Sequence, residues 1–333
     1  MDTIYVESQV RDHPSVDRIL RKFGKATVVE CERYGEVFNP RSQNFRLQKK
    51  QPALILARKH GRKVLPAPPG YSIGRSENHY FSHMLNCLYD CRYCFLQGMY
   101  RSAHYVHFVN YEDFEQGIDE TREKGEGRLS FFSGYDCDSL AMEPVTGFAG
   151  HFLPFFADRP DSWFELRTKS LQTQVLESGD PLPNVVVAYT LTPDAIAREI
   201  EHGAPPYERR LNRVRSLAEQ GWQIGFRLDP LVPWPGFREL YDEMIDDIEQ
   251  TVAADRIHSV TLGPMRFPKA MHDRIVRLYP DDPLFALEET VLRNGQMTYP
   301  AELEQEMVEF VSSRLGKFLP RERIFQQEVG EGE

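Results

Sequence analysis

Six apolar runs recur between residues 79 and 263: HYFSHML (79–85), RLSFFSG (128–134), WFELRTK (163–169), NVVVAYTLT (184–192), QIGFRLDPLV (223–232) and IHSVTLG (257–263). Between several of them lie charged stretches. YERRLNRVRSLAEQG (207–221) and FRELYDEMIDDIEQTVAA (237–254) carry apolar residues at three- to four-residue spacing, the period of one helix face. Thr192-Pro193-Asp194 offers a start for the helix after the fourth run, and Gln220-Gly221 an end for the next. Strand–helix alternation predicts parallel βαβ units. Near-continuous apolar strands such as NVVVAY suit a sheet covered on both faces. Six such units predict an α/β fold: a partial (β/α)6 barrel of the TIM type, short of the eight units that close one. Ligands of parallel α/β sheets bind beyond the carboxyl ends of the strands, so the polar residues there carry the chemistry.

The rest of the chain divides around that barrel. Residues 1–75 read as an N-terminal extension, 76–270 as the barrel and 271–333 as a C-terminal helical segment. ELEQEMVEFVSS forms the helix of that last part and QQEVGEGE a loose acidic end. From Val37 to Ser76 there are nine Lys and Arg (41, 46, 49, 50, 58, 59, 62, 63, 75) and no Asp or Glu. Such a run is either a solvated surface or a patch that faces phosphates. The net charge of -10 gives no general affinity for nucleic acid, so any such contact must be local. The start, MDTIYVESQVRDHP, lacks the apolar core of a leader, and no window approaches the ~18 apolar residues of a membrane span. Five cysteines, three of them clustered, argue against a disulfide framework and for a reducing cytoplasm.

The cluster is Cys87, Cys91 and Cys94, at C-x3-C-x2-C spacing just after the first predicted strand. Two readings fit three thiolates there. One is structural zinc, with His83 as the fourth ligand. The other is a [4Fe–4S] cluster held by three thiolates, which leaves one iron free to bind a substrate or cofactor. Cys137, after the second strand, stands between Asp136 and Asp138, and Cys31 has no comparable context.

The C-x3-C-x2-C loop resembles the signature of the radical S-adenosylmethionine superfamily. CRYCFLQGMY (91–100) is similar to the cluster loop of spore photoproduct lyases. YDCDSL (135–140), ELRTKS (165–170) and YTLTPDAIAREIEHGAPPYERRL (189–211) match that family in order. The resemblance covers roughly residues 76–270 and implies a [4Fe–4S] cluster on Cys87, Cys91 and Cys94, with S-adenosylmethionine as cofactor. It implies that Tyr93 packs near the adenine and acts at the reacting centre. Ser139, Lys169 and Thr190 become polar contacts to the cofactor. Cys137 becomes the donor that returns a hydrogen atom to a substrate radical, a role suited to the weak S–H bond. The implied partners are DNA carrying a pyrimidine lesion and a reductant such as flavodoxin or ferredoxin, with no membrane.

The chain also departs from the family. Where the lyases carry a tyrosine after the third cysteine, it has Phe95, which has no O–H to pass a hydrogen. The Arg-Tyr pair of the lesion-binding members is missing from ETVLRNGQMTYP (289–300), where Arg293, Gly295 and Tyr299-Pro300 match. Three functions follow: a radical lyase reversing a thymine-dimer lesion, the same chemistry on another substrate, and a zinc-binding module without catalysis.

Overall fold

The computed structural model describes residues 1–287 and 290–326. Its strands, in chain order, build two main sheets. β1 (Thr3–Glu7), β2 (Thr27–Cys31) and β3 (Leu54–Ala57) begin the first sheet. β4 (Val64–Pro66) and β5 (Glu77–Phe81) begin the second. β6 (Met84–Leu85), β7 (Asp90–Cys91) and β8 (Tyr105–Phe108) surround the cysteine loop. β9 (Leu129–Ser133), β10 (Trp163–Thr168), β11 (Val185–Thr190), β12 (Glu201–His202), β13 (Gln223–Leu231) and β14 (Ile257–Pro264) follow. β15 (Phe267–Pro268), β16 (Val291–Arg293), β17 (Gln296–Thr298) and β18 (Ile324–Gln326) complete the set.

The second sheet runs β18-β14-β13-β11-β10-β9-β5-β4 and is parallel except at the β4–β5 edge. Its six inner strands, β5, β9, β10, β11, β13 and β14, are the six predicted units in sequence order. This is an open, curled sheet, the partial barrel expected from the pattern. Helices Tyr207–Gln220 and Phe237–Thr251 stand where their period placed them, and Asp194–Ile200 begins just after Pro193. β9 and β11 are buried at every position, which is why their apolar runs are nearly unbroken. An aromatic layer packs the helix Phe148–Ala157 against this sheet, with Phe156 stacked on Phe164 at 4.3 Å.

Two expectations change in detail. The run HYFSHML is not one strand: β5 ends at Phe81, and Ser82 and His83 carry the chain across to β6 in the other sheet. Residues 1–75 are also more than an appendage. β1, β2 and β3 form a parallel sheet in the order β2-β1-β3-β8-β6, completed by strands from beyond residue 75. Its small core of Ile4, Val6, Leu54, Leu56, Met84 and Tyr105 reaches Cys137.

The C-terminal segment contains the expected helix, Ala301–Leu315, and a hairpin of β16 and β17 as well. The hairpin turns at Asn294 (φ 49°) and Gly295 (φ 75°), the Asn-Gly pair that suits a tight two-residue turn. The acidic end from residue 327 lies outside the described residues. Among the described residues no helix is long and apolar enough to cross a membrane.

Candidate functional site

At the carboxyl ends of the barrel strands lies a cavity of about 550 Å³. Cys87, Cys91, Cys94, Tyr93, Cys137, Lys169 and Thr190 all line it, so the structure brings seven of the eight predicted site residues to one cavity. Ser139 is the exception. It is 1% exposed and set behind the wall, its hydroxyl 2.8 Å from Ser133 Oγ and its N–H donating to the Arg167 carbonyl at 3.0 Å. In this structure it braces the loop after β9. Gly134 makes that bracing possible: its φ is 81°, and a Cβ there would stand 2.7 Å from Ser139 Oγ.

The cysteine loop leaves β6 and returns at β8. Cys91 lies in β7, which pairs antiparallel with β12, placing Cys91 opposite Glu201. The Tyr89 N–H donates to Cys87 Sγ at 3.4 Å. Burial pushes all three thiols up, Cys91 to about 12, with Lys169 the main charge opposing the shift there. Among the described residues no three His, Cys, Asp or Glu converge as one metal ion needs. Three thiols lining one cavity are a donor set that an iron–sulfur cluster uses, each thiolate on a separate iron. The fourth ligand of the zinc reading is engaged elsewhere: His83 stacks on Phe148 at 3.8 Å, and its Nδ1 lies 3.8 Å from Cys137 Sγ.

A buried polar network holds the loop. The Tyr93 hydroxyl donates to Glu201, and Glu201 pairs with Arg210 at 2.6 Å, both side chains 1% exposed. Arg210 also donates to the Thr190 carbonyl at 3.0 Å. Burial would raise the Glu201 carboxyl, but Arg210, Lys169 and the Tyr93 hydroxyl outweigh it and hold the group below its ordinary value. Lys169 Nζ stands 5.2 Å from the Tyr93 ring centre. Burial works against its charge, yet Cys91 and Glu201 keep the ammonium above its usual range. Glu201 and Arg210 escaped the residue-by-residue reading, although both lie inside the stretch 189–211 that matched the family. That stretch holds seven charged side chains, and nothing in its pattern marks these two as the buried pair.

Asp138 organises the second loop. Its carboxylate accepts from the N–H groups of Leu140, Ala141 and Lys169 at 3.0, 2.8 and 2.7 Å and from the Thr168 hydroxyl at 2.7 Å. Cys137 beside it is buried at the cavity lining. Burial, reinforced by Cys87 and the two flanking aspartates, lifts its pKa well above the ordinary thiol value. Phe95 faces Tyr135 across 5.4 Å. On the far wall the hairpin tip presents Asn294 and Gln296, while Arg293 turns away to pair with Glu304, and the Tyr299 hydroxyl lies 3.7 Å from Met265 Sδ. Arg167, from β10, and Arg266, from the turn after β14, line the cavity as well.

The sequence profile of spore photoproduct lyases matches residues 75–326. A spore photoproduct lyase of Bacillus subtilis is 22% identical over 249 residues, which are 72% of this chain and 72% of that protein. One from a Geobacillus species is 21% identical over 72% of this chain and 73% of its own length. Among solved structures, a spore photoproduct lyase double mutant with bound AdoMet and dinucleoside spore photoproduct superposes with a TM-score of 0.82 at 18% identity, covering 99% of this chain and 98% of the other. A lyase complexed with dinucleoside spore photoproduct gives 0.80 at 18% identity over 98% of each chain. At that identity the superpositions speak for the fold.

Proposed function

The chain belongs to the spore photoproduct lyase family, and on that footing we propose that it is a radical S-adenosylmethionine lyase that reverses a thymine-dimer lesion in DNA. The observation that carries the reading is one cavity lined by the three cysteines, Lys169, Thr190 and Cys137 together. Cys87, Cys91 and Cys94 would hold a [4Fe–4S] cluster, a donor set of three soft thiolates that fits iron–sulfur chemistry. When bound, the cluster supplies the electron that splits S-adenosylmethionine and so gives the 5′-deoxyadenosyl radical that takes a hydrogen from the substrate.

The chain's own residues position and protect that chemistry. Lys169 is charged and faces the cavity, a partner for the methionine carboxylate, and Thr190 offers a hydroxyl beside it. Tyr93, fixed by Glu201, presents its ring to the adenine. Ser139 supports these contacts from behind. The apolar wall of Phe95, Leu96, Met99 and Met265 excludes water. Cys137 delivers a hydrogen from its S–H to the product radical, and Phe95 takes no part in hydrogen transfer. A small flavodoxin- or ferredoxin-type protein is the reductant we propose, and the five free cysteines suit the cytoplasm.

The test incubates anaerobically reconstituted, reduced enzyme with a dinucleotide spore photoproduct and follows thymine and 5′-deoxyadenosine together. Both should rise. Formation of 5′-deoxyadenosine without repaired thymine would move the enzyme to another substrate, and neither product from a fully loaded cluster would reject the cofactor chemistry.

A further inference from the structure

The cavity has two cationic ends with different neighbours. The charges nearest Lys169 are Cys91, Glu201 and Arg210, at the cysteine loop. Around Arg167, besides its own strand neighbour Glu165, the charges that act on it are Arg227, Asp229 and Arg266, on β13 and the turn after β14. Inside the barrel Glu165 is taken by Arg227, at 2.6 Å with both side chains 0% exposed, and a Ser259 hydroxyl 3.0 Å away completes the pair. Arg167 shares only the edge of that carboxylate, through Nε at 3.2 Å. Its Nη2 is buried with no hydrogen-bond partner. Arg266 donates to the Pro264 carbonyl at 3.2 Å and stands 3.9 Å from Asp229, beyond hydrogen-bond reach. Three guanidinium groups thus face two carboxylates. One positive charge is uncompensated, and the Arg167 side chain, 21% exposed, lines the cavity. Burial and the neighbouring Arg227 and Arg266 press the Arg167 pKa down to about 9, the mark of a cation short of counter-charge.

We propose that Arg167 and Arg266 form an anion subsite that takes the phosphodiester joining the two nucleosides of the substrate. A guanidinium fork matches the geometry of a phosphate oxygen pair. Tyr71, 4.9 Å beneath the Arg167 guanidinium, and Tyr135 supply aromatic faces beside it, the pairing of cation and ring that receives a nucleotide. The subsite deepens the lesion-repair reading and rests on it for the identity of the bases, while the charge argument stands without it. It also gives this chain a substrate contact from the barrel wall, where Arg293 of the hairpin is committed to Glu304.

The experiment measures binding to the full-length, iron-loaded protein by calorimetry with two probes, thymidylyl-thymidine and its uncharged methylphosphonate analogue. The phosphodiester should bind at least about tenfold more tightly, the size of a charge-assisted contact. Arg266→Gln and Arg167→Lys should each bring the ratio toward one, the second because lysine keeps the charge but loses the fork. Equal affinities in the wild type, a ratio that survives both substitutions, or no binding of either probe at millimolar concentration would overturn the proposal. If the arginines instead hold the cofactor carboxylate, both probes change equally, which also overturns it. A wild-type preference for the phosphodiester that both substitutions abolish, alongside failure to repair the dinucleotide lesion, would leave the subsite standing and remove the substrate assignment.

Discussion

Cys137 is kept a thiol by its enclosure, and hydrogen donation needs the S–H bond. An ordinary cysteine, with a pKa near ~8.5, would be mostly thiolate by about pH 9. Because the Cys137 value is raised, its protonated form persists above that range. The fraction of product that is clean thymine should therefore stay level from about pH 7 to about pH 9, whereas a fall centred near the ordinary thiol value would contradict the assignment. Cys137→Ala should still yield 5′-deoxyadenosine but divert the product radical to side products detectable by mass spectrometry. Glu201→Gln tests the network behind the iron loop. It leaves Arg210 buried without its counter-ion, which should cost about 3–5 kcal/mol in a denaturant titration and loosen iron retention. The cysteines were readable from their spacing after the first strand, and Lys169 and Thr190 through the family-like stretches that hold them. Ser139 lies in such a stretch too, but the tight turn at Gly134 sets it behind the wall. Arg167 was hidden for a different reason: a strand sequence shows which side chains alternate, and only the curl of the sheet shows that this one faces a cavity.

The short helix Leu96–Met99 packs against the helix Lys269–Leu278, and Gly98 is the contact. A Cβ at Gly98 would come within 2.5 Å of the Met271 carbonyl, and Arg274 donates to the Gly98 carbonyl at 2.8 Å. Gly98→Ala should destabilise the protein by about 1–3 kcal/mol, the usual cost of overpacking, read from the thermal midpoint. The six barrel strands were legible because burial on both faces leaves nearly unbroken apolar runs. The first sheet was not. β2 is exposed at four of its five positions and β6 is only two residues long, so neither has a pattern to read. The hairpin of β16 and β17 did carry a signal, the Asn294-Gly295 pair, which the acidic helix beyond it obscured.

For the whole molecule, the basic run proves a poor general phosphate surface. Lys49 pairs with Asp90 at 3.6 Å, Arg58 and Lys63 share Asp113 at 2.6 and 3.9 Å, and Arg75 lies 3.8 Å from the Trp163 ring. Arg41, Arg46, Lys50 and Arg62 are the exposed members. Four contacts from this run would give a slope no steeper than about −3.6 for log affinity against log salt on duplex DNA. Acid should unfold the protein early. His83 and His107 are both 1% exposed, and burial depresses both, His107 to about 3. Above the unfolded value near ~6.5 both states are neutral at these sites and stability is full. Below it the unfolded chain takes protons that the folded one refuses, so stability should fall by roughly 1.4 kcal/mol per histidine per pH unit between pH ~6.5 and ~5. His107→Gln should flatten that slope in thermal midpoints across the interval.

The loop that carries Cys87, Cys91 and Cys94 is an excursion from the first sheet, although the barrel supplies the wall it faces. It departs from β6 and rejoins at β8, and β8 is held in place by β3. A shortened chain starting at residue 75, where the family profile begins, would keep the six inner barrel strands and all three clustered cysteines and lose only the edge strand β4 from that sheet. It would also present the bare edge of β8 to any passing strand. Such a fragment should collect in the insoluble fraction, or fail to retain iron where it stays in solution. The smallest chain that can make this barrel is therefore shorter than the smallest chain that can arm it.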